Sequence, residues 1–324
     1  MNDFFRKSIL KATGAKELFQ IETIQSLWSG YGSIIRFGLK GSSHSTVIVK
    51  HVKLPDLKNH PRGWNTDVSH LRKIKSYEVE TAWYKKYSSK TDVDCRIPKC
   101  FAVDTLGDEV CIVLEDLDEA GFPLRKTNIT QTEFDNCITW LANFHATYLN
   151  IKPLHLWETG TYWHLETRPD ELDALTDISL KNAAFKIDKI LSESPYQTLV
   201  HGDAKLANFC FSKEGDVAAV DFQYVGGGCG MKDLAYFVGS CLYEKDCESQ
   251  EGAILDVYFK ALEVALKSKN KEVNFTKLEK NWRAMYPLAW TDFHRFLKGW
   301  SPGHWKINSY SERITKQVLD SLSD

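Results

Sequence analysis

Between Thr130 and Tyr148 the apolar side recurs at steps of four, three, four and three, through Phe134, Ile138, Leu141, His145 and Tyr148. That rhythm predicts a helix with one buried face, and Thr130 and Glu133 have the spacing of a capping box at its start. A second helix is expected over 69–87, with a polar start at Ser69 and apolar positions at Leu71, Ile74, Tyr77, Ala82, Trp83 and Tyr84. Further helices are expected over 170–193 and from Ala253 to the end, and residues 2–28 also have helix-like spacing, broken at Gly14. Short β-branched or apolar runs predict strands at Ile34–Phe37, Thr46–Val49, Thr198–Val200 and Val217–Val220. Arg96–Val103 and Glu109–Leu114, joined by a polar turn containing Gly107, predict a β-hairpin. Lys40–His44 is a turn by composition, Gly226–Gly230 reads as a flexible loop, and Leu54–Asn65 as a solvated polar insertion.

Composition narrows the class. Apolar residues make up 43% and aromatic residues 12% of the 324 positions, enough for a substantial core in one large domain or two lobes. Basic and acidic residues nearly balance, 41 against 43, which argues against a nucleic-acid partner held through its phosphates. The start of the chain lacks the apolar core of a secretory signal, and no run reaches the ~18 apolar residues of a membrane span. The eight cysteines form no C-x-x-C pair, so reduced thiols in a cytoplasmic protein without a membrane span are expected.

The chemistry concentrates between His201 and Tyr236. Asp203 and Asn208 stand five residues apart in a loop after Thr198–Val200, and Asp221 ends the next apolar run. Two carboxylates and an amide oxygen gathered around one point suit Mg²⁺, which takes hard oxygen ligands together with substrate phosphates. The spacing H-x-D-x-x-x-x-N followed by D-F-x matches the catalytic and metal-binding loops of kinase-fold phosphotransferases. Upstream, Gly30 and Gly32 with Ser33 precede a strand, a pattern that lets backbone N–H groups approach a phosphate. Val47-Ile-Val-Lys50 has the form of the strand whose lysine holds nucleotide phosphates.

Taken together, His201-Gly-Asp203-x-x-x-x-Asn208, Asp221-Phe-Gln223 and Asp233-Leu-Ala-Tyr236 resemble the choline/aminoglycoside kinase superfamily, and within it the ecdysteroid-kinase-like branch. The resemblance runs from about residue 27 to 240. It implies an α+β, protein-kinase-like two-lobe fold. An N-lobe of residues 1–115 would hold an antiparallel sheet and one principal helix, and a mainly helical C-lobe would span 116–324. It implies ATP and Mg²⁺ as cofactors, with a hydroxyl group of a small molecule as acceptor. By the resemblance, Asp203 is the base, Lys205 neutralises charge on the moving phosphoryl group, and Asn208 and Asp221 hold the metal. Lys50 grips the nucleotide and pairs with a glutamate; Glu80, followed by Trp83 and Tyr84, fits the family pattern better than Glu78. Gly30, Gly32 and Ser33 cover the phosphates. Glu115 and Leu117, followed by Gly121-Phe122, form a hinge whose backbone meets the adenine. Asp233 braces the active-site loops, and His201 supports the loop rather than reacting.

Other readings have less in their favour. Only 11 residues, Phe222 to Lys232, separate Asp221 from Asp233, too few for the peptide-docking segment of a protein kinase. A nucleotide-binding pseudokinase scaffold is the alternative from another class, against which the intact Lys50, Asp203, Asn208 and Asp221 speak. His145 is expected to be a core histidine with a local hydrogen bond. Trp282, Tyr286, Trp290, Phe293, Phe296, Trp300 and Trp305 are expected to pack the core, with an aromatic box for a cationic or ring-shaped acceptor as a second reading. Gln223 stands where many relatives have an acidic residue, which leaves the number of bound metals open.

Overall fold

A computed structural model describes residues 2–27, 30–53 and 67–323 of the chain. The expected insertion at 54–65, and Ser29 beside the glycine pair, lie outside the described residues. The chain opens with α1 (Asp3–Thr13), capped by Asn2, whose side chain accepts the Phe5 N–H at 3.0 Å, and ended at Gly14 with φ of 67°. Strand β1 (Glu17–Ser26) follows, where the spacing predicted a continuing helix. Only Leu18 of that strand is buried, so neither the helical nor the strand period stands out in its sequence.

Strands β2 (Gly32–Lys40), β3 (Thr46–Lys53), β4 (Cys100–Leu106) and β5 (Glu109–Glu115) complete a five-stranded antiparallel sheet in the order β1-β2-β3-β5-β4. Successive side chains of a strand point to opposite faces, and β3 uses both. Val47 and Val49 pack with Phe5 and Ile9 of α1, whereas Val52 joins Tyr31 and Tyr77 on the other side. Lys50 shares the parity of Ile48 and Val52 and so faces helix α2 (Asp67–Lys86). After β5, Asp116 and Asp118 both take the guanidinium of Arg36 on β2, with Arg36 Nε 2.7 Å from Asp116. This tethers the segment that leaves the sheet to the sheet itself.

The remainder is mainly helical: α3 (Gln131–Thr147), the short α4 (Pro169–Asp173), α5 (Ile178–Ser192), α6 (Met231–Cys241), α7 (Glu244–Ser268), α8 (Phe275–Trp300) and α9 (Ser309–Ser323). The capping box of α3 is formed, and Phe134, Ile138, Leu141, His145 and Tyr148 are all buried. Two small antiparallel pairs lie among these helices, β6 (Thr198–Val200) with β9 (Gly226–Gly228), and β7 (Phe209–Phe211) with β8 (Val217–Ala219). Gly226–Gly228 is thus a strand, where the composition predicted a loose loop. A Cβ on Gly226 would sit 2.3 Å from the Trp157 carbonyl, and one on Gly227 would sit 2.6 Å from that of Glu158. The glycines serve close backbone approach there. No helix of the described residues is long and apolar enough to cross a membrane.

Candidate active site

Two loops of the small β pairs carry the central carboxylates. Asp203 lies between β6 and β7, and Asp221 between β8 and β9. The first loop is held from below by α6. Asp233, fully buried, accepts the backbone N–H of His201 at 2.5 Å and of Gly202 at 2.9 Å, and lies 3.1 Å from His145 Nε2. His145 meets Tyr258 Oη with its other nitrogen at 2.8 Å. His201 in turn pairs its Nε2 with the Val220 carbonyl at 3.0 Å, and its Nδ1 accepts the Asp203 N–H at 3.3 Å. That ring therefore ties the Asp203 loop to the strand end before Asp221, and both nitrogens are engaged.

Asp203 is enclosed by donors. Lys205 Nζ lies 2.9 Å from Oδ2, Asn208 Nδ2 3.1 Å from the same oxygen, and Tyr236 Oη 3.1 Å from Oδ1. Burial pushes the Asp203 carboxyl above the ordinary aspartate value, with Lys205 acting the other way and Asp221 reinforcing the rise. Asn208 donates through its nitrogen to the Asp203 carbonyl at 2.8 Å as well, which leaves its side-chain oxygen for another partner.

Across the site, Lys50 and Glu80 form a buried ion pair at 2.6 Å, and Lys50 Nζ stands 3.6 Å from Asp221 Oδ1. Burial alone would lower the lysine; the two carboxylates hold it above its ordinary value and so protonated. Glu78 is exposed and, among the described residues, meets Lys75, whereas Glu80 is the glutamate beside Lys50. The reason for the aromatic pair after Glu80 is also visible. Trp83 stacks on Phe222 at 4.5 Å and 13°, and Tyr84 meets the same ring edge-on at 6.2 Å. The helix that carries Glu80 is thereby packed on the residue next to Asp221.

Asp221 adopts a left-handed φ of 69°, an uncommon conformation for a residue with a side chain. Burial raises its carboxyl, but Lys50, Lys73 and Lys205 together bring it below the usual aspartate value. Gln223, the residue that left the number of metals open, donates to Asp221 Oδ1 at 2.9 Å. Its own oxygen accepts from Lys73 Nζ at 2.8 Å and from Ser76 Oγ at 3.2 Å, both on α2. Burial, then the neighbouring Lys50, lowers the Lys73 ammonium to about 8. Nothing in the spacing of Lys73 along α2 signalled this contact, because its partner lies 150 residues away.

At the sheet edge, Gly30 has φ of 78° and Gly32 φ of 136°, and a Cβ on Gly32 would sit 2.0 Å from the His51 carbonyl. Both need glycine for conformation, and Gly32 also for space. Ser33 pairs with His51 at the start of β2. Tyr31, between the glycines, is buried against Tyr77 and reaches His70 Nδ1 at 2.5 Å, linking this turn to α2. Glu115 uses its side chain on Arg96 at 2.5 Å and on the Lys99 N–H at 2.9 Å. Leu117 gives its carbonyl to Phe122 at 2.7 Å, while among the described residues no acceptor meets its N–H. Lys205, Lys50, Asp203, Asn208 and Asp221 thus converge.

The donor set fits Mg²⁺ only in part. Among the described residues no three His, Cys, Asp or Glu side chains could hold a metal by themselves. Asp221 with the free oxygen of Asn208 makes two hard ligands, the number expected where phosphates and waters complete the octahedron. A hollow of about 600 Å³ bordered by Tyr84, Asp92, Arg96 and Phe101 contains none of these residues and is no part of the site.

Comparisons with known proteins bear on the family and the fold. Residues 40–159 match the model of the ecdysteroid kinase-like family. Residues 164–293 match a model described as "Uncharacterized oxidoreductase dhs-27". No curated protein sequence matches the chain. Among solved structures, amicoumacin kinase hAmiN in complex with AMP-PNP, Ca²⁺ and Ami has a TM-score of 0.55 at 14% identity, covering 99% of this chain and 94% of that one. The microcompartment-associated aminopropanol kinase has a TM-score of 0.52 at 14% identity, with the same coverages of 99% and 94%. The chain has the α+β fold of these kinases, with an antiparallel N-terminal sheet and a helical C-terminal part, and its residues 40–159 are similar to the ecdysteroid kinase-like family.

Proposed function

We propose that this ecdysteroid-kinase-like chain is an ATP-dependent phosphotransferase that moves the γ-phosphoryl group to a hydroxyl of a small molecule. The observation that carries the reading is the joint placement of Lys50, paired with Glu80, beside Asp221, and of Asn208 beside Asp203. Phosphoryl transfer needs positioning and counter-charge more than covalent chemistry, and this cluster supplies both. Asp203 orients the acceptor hydroxyl and takes its proton as the oxygen bonds to phosphorus and the bond to the ADP oxygen breaks. Lys205 and Lys50 offset the negative charge of the phosphates. Asp221 and Asn208 would hold Mg²⁺, which supplies further counter-charge to those phosphates. The Leu117 N–H is the free hinge donor for the adenine edge, with residues up to 115 forming one lobe and those from 116 the other.

The amicoumacin kinase and the aminopropanol kinase named above share this fold, in line with a small-molecule acceptor. The oxidoreductase description of the second family model fits the site less well. A dinucleotide fold uses a parallel βαβ unit, and every strand pair among the described residues is antiparallel.

Thermal shift with ADP, with and without Mg²⁺, tests the reading. Wild type is expected to gain a Mg²⁺-dependent rise in Tm that Asp221→Ala loses, since only a ligand bound to the folded state stabilises it. No rise at millimolar nucleotide would defeat the nucleotide site; a rise without ADP release from ATP across an acceptor panel would favour the scaffold. Because the Gln223 oxygen is taken by Lys73 and Ser76, a titration should find one Mg²⁺ per bound nucleotide. Two would mean that Gln223 turns to the metal.

A further inference from the structure

On its Oδ1 side Asp203 meets an aromatic cluster. Tyr236, which donates to Asp203 Oδ1, has ring centroids of Trp163 at 4.8 Å, Phe293 at 4.9 Å and Tyr162 at 5.6 Å. Lys306, in the segment between α8 and α9, extends into this cluster. Its Nζ lies 5.3 Å from the Tyr236 ring, 5.6 Å from Phe293 and 5.6 Å from Trp305. The ring faces that would attract an acceptor ammonium are therefore already covered by a cation of the protein itself.

No carboxylate of the described residues lies within 4.0 Å of that ammonium. The charged groups in its field are Lys205 and Asp203, and they are bonded to each other. Burial lowers Lys306 to about 8, so it is mostly charged at neutral pH and poorly hydrated. An arriving ammonium would meet this charge and that of Lys205; an arriving anion would find an unpaired partner. Outside Lys306 the aromatic surface continues into solvent. Trp300 is 55%, Trp305 50% and Tyr243 70% exposed. Trp300 stacks on Phe296 at 5.7 Å, and Tyr243 meets Trp305 at 5.3 Å. Exposed ring faces of this kind suit a flat apolar body.

We infer that the acceptor is a ring-bearing hydroxyl compound with an anionic substituent, its hydroxyl at Asp203, its anion on Lys306 and its apolar body against Trp300, Trp305 and Tyr243. The inference rests on the phosphotransferase reading for the role of the hydroxyl, but the anion site can be tested without turnover. Matched compounds sharing one hydroxylated ring scaffold and bearing a carboxylate, a carboxamide or an ammonium group would be titrated against the full chain. Binding is read by Trp fluorescence and turnover by ADP release. The carboxylate should bind and react best, and Lys306→Met should weaken it roughly 10- to 100-fold, the value of a charge-assisted contact. Lys306→Glu should reverse the order in favour of the ammonium compound. The Mg²⁺-dependent ADP shift should stay unchanged in both variants, which shows that they fold. Preference of wild type for the ammonium compound, no binding of the carboxylate, or a Lys306→Met variant with the wild-type order would overturn the inference. Carboxylate binding through Lys306 without ADP release would uphold the anion site and reject the phosphotransferase reading.

Discussion

Asp203→Asn is expected to lower acceptor phosphorylation by about 10²–10⁴-fold, the usual contribution of a positioned general base. Asparagine keeps the size of the side chain and an oxygen for one of its donors, so the loop should persist. What disappears is the atom that takes the proton. Nucleotide binding should survive, because Lys50, Asn208 and Asp221 are untouched. The expected pattern is a collapse of ADP release beside a retained Mg²⁺-dependent Tm shift. The pH profile gives a second check. Burial raises the Asp203 carboxyl, so it becomes protonated, and unable to accept, at a higher pH than an ordinary aspartate. Activity should fall as pH falls through that raised value, and the acid limb should vanish from the residual activity of the variant. Unchanged turnover in Asp203→Asn would remove Asp203 from the mechanism.

Local spacing accounts for the proximity of part of this cluster. Asp203 and Asn208 lie in one loop and Asp221 follows a short strand, so their proximity needs only a hairpin. Lys50 was singled out by the Val47-Ile-Val-Lys50 pattern, and strand parity puts it on the face away from α1. Glu80 was readable through Trp83 and Tyr84, which the structure shows packed on Phe222. The contacts that went unread all join distant segments through single polar side chains: Lys73 to Gln223, Tyr236 to Asp203, and Lys306 over Tyr236. No periodicity marks such pairs, since each is decided by tertiary packing. The C-terminal aromatics were read mainly as core. Trp282 and Tyr286 are buried, but Trp300 and Trp305 are half exposed. Three strands were missed: β7 is a three-residue, fully buried run too short to show a period, and the other two lack alternation. β1 is an almost wholly exposed edge and β9 is glycine alone, so neither shows the alternation by which strands are recognised.

Asp233→Ala should destabilise the fold by about 3–5 kcal/mol, the range for removing one member of a buried charged network. The carboxylate is fully buried and serves three partners: the N–H groups of His201 and Gly202 and the His145 ring. Alanine would leave both N–H groups without an acceptor, in a place water cannot easily reach, because a Cβ on Gly202 would already sit 2.1 Å from the Tyr224 carbonyl. Each orphaned donor costs about 1–3 kcal/mol. The His145 ring would keep only Tyr258. For a chain of this size the loss corresponds to a fall in Tm of roughly 4–7 °C. Asp233→Asn should fall between the two, since its amide oxygen can accept one of the N–H groups while its NH₂ faces the other donors. A Tm for Asp233→Ala within about 1 °C of wild type would show that the loop finds its backbone partners elsewhere. The catalytic loop would then depend on His201 and its bond to Val220, and His201→Ala rather than Asp233→Ala would be the variant that releases Asp203.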